Sequence, residues 1–224
     1  MMTNAQSGPS EETMDERDVE RRFRAALERA RSEWTVADPR LCAARAACET
    51  TDAGVIAPLF GAPHLVSHPA GLVTATGRPA PTAAGILLLH YLLHADGTPP
   101  AYEWLTYRDL RDGLFYAQAF ERRAERPLAE AFGQGDSTDE SQGLRAFKAA
   151  STTLGGEPFD LADAAFAFAA LPRLRMAALL WLGDEEFAAR ATILFDASAV
   201  HCLPVEDLAE LGGLLAQRLI STRQ

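Results

Sequence analysis

Between residues 82 and 95 nearly every position of the chain is apolar, whereas between residues 14 and 34 charged residues dominate and Val19, Phe23, Ala26, Leu27, Ala30 and Trp34 recur among them. Both patterns are helical, and they are opposite in kind. Steps of three and four residues put the second set on one stripe of a charged helix lying on the surface of the fold. A helix that is apolar all round belongs inside a core. Asp96-Gly97 ends it, with Gly available for a left-handed cap. Asp38-Pro39 predicts a further helix running to about residue 48, since Asp caps well and Pro suits a first turn.

Elsewhere the period shortens to two. Residues 55–60, 64–68 and 72–75 read as three short strands separated by Gly61-Ala62-Pro63 and Pro69-Ala70-Gly71, a β-meander closed by Gly77-Arg78-Pro79-Ala80-Pro81. Residues 103–107 predict a short strand and 114–126 a helix, which Pro127 lets continue for a turn or two to Phe132. Residues 133–143 read as a polar loop and 144–154 as a helix stopped by Gly155-Gly156. Alternation through Phe166, Phe168 and Ala170, and again through Leu174, Met176, Ala178 and Leu180, predicts two strands, with a third at 191–195. The last helix opens at Pro204-Val205-Glu206-Asp207 and carries Leu208, Leu211, Leu215 and Leu219 on one stripe. Gly212-Gly213 within it implies close packing or a bend. The sum is an α+β fold: a mixed or antiparallel sheet packed against a central apolar helix, with a long charged N-terminal helix. It forms a single domain over residues 13–224, after a disordered tail of residues 1–12 whose polar composition gives it nothing to bury.

Charge narrows the function classes. The 224 residues carry a net charge of −10, which argues against a nucleic-acid binder, since such proteins need a basic face. Cys42, Cys48 and Cys202 are odd in number and form no CxxC pair. They fit buried thiols in a reducing cytoplasm rather than a zinc or iron–sulfur site. The first residues lack the basic stretch and apolar core of a secretory signal. The longest apolar run, 83–93, is broken by His90 and falls well short of the roughly 20 residues that a membrane span needs. The expectation is a cytoplasmic chain with no membrane partner.

Three groups of residues carry candidate chemistry. His90 and His94 stand four apart on the predicted helix, the spacing of two-histidine metal sites, although no Glu lies between them as in HExxH. The plainer reading is a buried His bonded to a backbone carbonyl beside a second His near the helix end, where it favours the dipole. His64, His68 and His201 are candidate third ligands. Asp184 and Glu185, after an apolar strand, offer carboxylates for a cation or form a solvated turn. Tyr107, Arg108 and Asp109 form the other polar concentration. Arg108 would clamp an anion through its planar fork, Tyr107 would stack or donate, and Asp184 would orient Arg108. Alternatively, Arg108 bridges to Glu103, Glu121 or Asp184. A ligand site is expected where residues 104–109 approach 184–187 or the His90/His94 face. No GxSxG, Walker A or GxGxxG pattern occurs.

LLHYL at 88–92, EWLTYRDL at 103–110 and Phe132-Gly133 carry a resemblance, continued by LWLGDEEF at 180–187, ILFD at 193–196 and LPVEDLAEL at 203–211. In order and spacing, from about Asp15 onward, the chain resembles the prokaryotic domain-of-unknown-function family 3786. That resemblance implies no catalytic residue. Members occur in anaerobes, and some carry an iron–sulfur module related to those of corrinoid proteins, which this chain lacks. It implies a binding or accessory protein associated with redox or corrinoid/one-carbon metabolism, with a redox or corrinoid protein as partner. The alternative is a small metal-dependent enzyme using His90 and His94.

Overall fold

A computed structural model describes residues 16–133, 142–183 and 186–223. The expected tail at 1–12, most of the polar loop at 133–143, and Asp184 and Glu185 lie outside these residues. Helix α1 (Glu16–Val36) is the long charged helix, and it buries Ala30 and Trp34 from the predicted stripe. Helix α2 (Pro39–Ala46) follows, with the Asp38 carboxylate accepting the N–H groups of Arg40 and Leu41. Five strands then form the first antiparallel sheet: β1 (Glu49–Thr51), β2 (Gly54–Leu59), β3 (Ala62–Ser67), β4 (Val73–Ala75) and β5 (Arg78–Pro79), paired in chain order. The predicted meander is the middle of this sheet. Its outer strands, three and two residues long, were not expected.

Helix α3 (Thr82–His94) buries Leu87, Leu88, Leu89, Tyr91 and Leu92. Leu93, expected at the core centre, is only partly buried. The hydroxyl of Tyr91 donates to the carbonyl of Ala46 (2.7 Å) at the end of α2 and accepts the N–H of Arg173 (3.0 Å). Strand β6 (Trp104–Thr106) leads into a 3₁₀ turn (Tyr107–Asp109) and then a second one (Gly113–Tyr116). Helices α4 (Ala117–Phe120) and α5 (Arg126–Phe132) run end to end through a π turn (Glu121–Glu125). Pro127 explains the irregularity. Without an N–H it cannot donate to Arg123, and the wider turn before it shifts the ladder by one residue, so that Arg126 N–H bonds to Glu121.

After α6 (Gln142–Thr153) come β7 (Glu157–Pro158), β8 (Ala164–Leu171), β9 (Leu174–Trp181) and β10 (Arg190–Asp196), and finally α7 (Val205–Ser221). The second antiparallel sheet has the order β6-β10-β9-β8-β7. The fold is α+β, with two separate sheets sharing one core. A β-bulge joins them: the ladder between β8 and β9 slips between Ala169 and Leu171, and the freed carbonyl of Ala170 accepts Phe60 N–H from the end of the first sheet at 2.8 Å. Gly212 of α7 is required by close approach, since a Cβ there would sit 2.5 Å from the Phe120 ring. Among the described residues, no helix is long and apolar enough to cross a membrane.

Candidate functional site: a groove where β6 leaves its sheet

Strand β6 pairs with β10 for only three residues, Trp104↔Asp196, Leu105↔Phe195 and Thr106↔Leu194. Its entry is fixed by the buried carboxylate of Asp196, which accepts the N–H groups of Ala101 (2.8 Å), Tyr102 (2.7 Å) and Ser198 (2.9 Å) and the Ser198 hydroxyl (2.6 Å). Burial raises the pKa of Asp196, but these four bonds outweigh that effect and hold it below the ordinary value. Asp196 also caps the 3₁₀ turn that follows β10 (Ala197–His201) through the Ser198 N–H, so one carboxylate both starts that turn and anchors the segment that carries Tyr107 and Arg108.

Past Thr106 the chain leaves the sheet. The Thr106 hydroxyl donates to Asp109 at 2.6 Å, closing the first 3₁₀ turn. Tyr107 swings into the core, where its ring stacks on Phe120 at 4.4 Å and its hydroxyl donates to the carbonyl of Val205 at 3.1 Å. Burial pushes its phenol pKa up to about 12, so it remains a donor. The second turn is built tightly: a Cβ at Gly113 would collide with the Tyr107 carbonyl, and Asp112 takes a φ of 65°. That turn presents Leu114, Phe115 and Tyr116 outward, with Phe115 84% exposed.

The departure of β6 leaves the first half of β10 without a neighbour on that side. Glu125, in the π turn, fills part of the gap, its Oε1 accepting Ile193 N–H at 2.9 Å. What remains is an open groove of about 460 Å³. Thr106, Arg108 and Thr192 border it from the sheet side, and Phe115, Glu121 and Glu125 from the helical side. Arg108 is exposed, and among the described residues it has no hydrogen bond or ion pair, with Glu103 and Glu121 included. Asp184, the residue expected to orient Arg108, lies outside the described residues, as does Glu185. Burial raises the pKa of Glu125. The Ile193 N–H opposes that rise, Glu121 adds to it and Arg190 opposes it.

The histidine pair sits in a different setting. Nδ1 of His90 donates to Asp207 Oδ2 at 2.6 Å, linking α3 to the first turn of α7, and the His94 ring meets His90 edge-on at 5.7 Å. The hydrogen bond to Asp207 raises the pKa of His90 against the effect of burial, with the charges of Asp207 and Glu33 adding to the rise. The three candidate third ligands are engaged elsewhere: His64 with the Ala62 carbonyl, His68 with the Trp34 ring and His201 with Asp96. Among the described residues, no three His, Cys, Asp or Glu side chains are grouped so as to hold a metal ion.

Tyr107 and His90 therefore meet the same turn of α7, through Val205 and Asp207, while Arg108 faces the groove. Sequence reasoning missed Glu125, Thr192 and Asp207. Glu125 stands in ERRAERP, where nothing but Pro127 hints at an irregular turn.

A family model described as Domain of unknown function (DUF3786) matches residues 38–218. No curated protein and no solved structure matches the chain. With most of its length covered, the chain belongs to that family.

Proposed function

We propose that this member of the family is a binding or accessory protein, with its ligand seated in the groove beside Arg108. The observation that carries this reading is an exposed, unpartnered guanidinium at the edge of a groove that combines hydroxyl, carboxyl and aromatic groups. Small-molecule sites are lined in this way, with apolar walls and a few placed polar groups. Arg108 is the anion clamp in this reading, and Tyr107 a wall and support, its ring beneath the groove and its hydroxyl committed to Val205. In this reading the protein works beside redox or corrinoid/one-carbon metabolism in the cytoplasm, which the family resemblance and the sparse cysteines support. A volume of about 460 Å³ suits a compact ligand. A corrin macrocycle with its substituents is larger, so any corrinoid belongs on the protein partner.

Metal analysis and a visible-range spectrum of protein purified without a tag test this against a small metal-dependent enzyme at His90 and His94. Metal-free, colourless protein is the expected result. Stoichiometric zinc or iron that is lost in His90→Ala overturns it in favour of the enzyme.

A further inference from the structure

Glu125 has one oxygen committed and one free. Oε1 holds Ile193 N–H, while Oε2 has no protein partner among the described residues and is not a buried, unsatisfied atom, and Glu125 lines the groove. Arg108, likewise without a partner among the described residues, lines the same groove. A donor fork and a free carboxyl oxygen thus border one cleft, with the exposed Phe115 ring beside them.

The lining also limits the ligand's charge. Among the described residues, one guanidinium and two carboxyl groups, Glu121 and Glu125, border the groove. Any anion meets one attraction and two repulsions there, and a dianion meets twice the imbalance, whereas a single carboxylate matches the Arg fork in geometry and needs only one proton to relieve the excess. Two carboxyl groups brought close together cannot both stay ionised, and they share a proton. We propose that the groove binds a flat organic monocarboxylic acid, clamped by Arg108, with one proton shared between the ligand and Glu125 Oε2. Binding then takes up a proton. This rests on the groove's being the ligand site.

Burial of Glu125 and the charge of Glu121, from the same helical run, favour that proton; the Ile193 N–H and Arg190, both on β10, oppose it, and Arg108, on the turn after β6, is the other charged group lining the groove. Glu125 is the residue that makes the site sensitive to pH, and it also fixes the β10 edge. The substitution that separates these duties is Glu125→Gln, which keeps an oxygen for Ile193 N–H and presents a permanent N–H donor to the ligand.

Benzoate, phenyl phosphate and benzylammonium, titrated into the full chain from pH 5 to 8, provide the test. Shifts of the Thr106, Arg108 and Thr192 amide resonances report binding. We expect saturable binding of benzoate that weakens with rising pH, by at most about tenfold per unit above the folded-state pKa of Glu125, the limit for uptake of one proton. Arg108→Lys should weaken it about tenfold or more, because the planar fork is lost. Glu125→Gln should retain binding and flatten the pH dependence. Benzoate bound through Arg108 with no pH dependence overturns the shared proton and leaves the groove as the ligand site. Preference for phenyl phosphate or benzylammonium overturns the monocarboxylate. If none of the three shifts those amides, both this assignment and the groove's role fail.

Discussion

The His90–Asp207 pair and the Arg108 groove are two polar concentrations of this protein, and they are built to opposite ends. At the first, two groups on different helices meet at 2.6 Å and use each other's bonding capacity. At the second, Arg108 and one oxygen of Glu125 lack protein partners among the described residues, and Phe115 is exposed at the same groove. Polar groups that satisfy one another hold elements together. Those left unsatisfied at the edge of an apolar cleft are available to something else. In the sequence, both showed only as residue types at a suggestive spacing.

Four substitutions test that contrast, and the largest effect belongs to the core beneath the pair. Leu89 precedes His90 on α3 and is fully buried. Leu89→Ala should cost roughly 2–5 kcal/mol in denaturant unfolding. A loss below about 1 kcal/mol would mean that α3 is not the pillar on which His90 stands.

Asp207→Ala comes next. It removes the acceptor of a charge-assisted bond, for which about 1.5–3 kcal/mol is expected. The effect has a pH signature. Because the folded-state pKa of His90 is raised, the pair's contribution is fully present below the unfolded value of about 6.5 and fades as pH rises through the folded value. The gap in melting temperature between native chain and variant should therefore narrow on going from pH 6 to alkaline pH. A gap that widens over that range would contradict the assignment.

Tyr107→Phe should cost about 0.5–1.5 kcal/mol, since it deprives the Val205 carbonyl of its donor and leaves the ring stacked on Phe120. Benzoate affinity should change little, provided that Tyr107 is a wall rather than a ligand contact; a tenfold loss would move the hydroxyl into the site. Arg108→Ala is expected to be the smallest in stability, within about 0.5 kcal/mol, because an exposed and unpartnered side chain holds nothing in place. Stability unchanged while benzoate binding is lost is the pattern that separates the groove from the histidine pair. A drop above about 1 kcal/mol would class Arg108 with the histidine pair.

The elements that the sequence predicted well are those with a long, unbroken period. Helix α3, the strands β8 to β10 and the leucine stripe of α7 each repeat one rule over many residues. Strands β1 and β5, too short to show alternation, left no such trace, and nothing local separates one ten-stranded sheet from two. The site was legible in half. The polar cluster at 107–109 was visible as composition, but Tyr107 turning inward while Arg108 stays out depends on where β6 stops pairing with β10, nearly ninety residues later in the chain. Asp207 was likewise invisible as the partner of His90, 117 positions away. For Glu125 the deciding fact is a π turn upstream of a proline, which places one of several similar acids against a strand edge.

The bulge at Ala170 has a consequence for the order in which the molecule comes apart. Phe60 N–H belongs to the end of the first sheet, yet the carbonyl it bonds belongs to the second. Fraying of either sheet at that seam breaks the bond, whereas an amide inside a single sheet responds to that sheet alone. Hydrogen exchange at Phe60 thus follows whichever sheet opens at lower free energy, and comparison with Val66 in the first and Ala178 in the second identifies which one yields first.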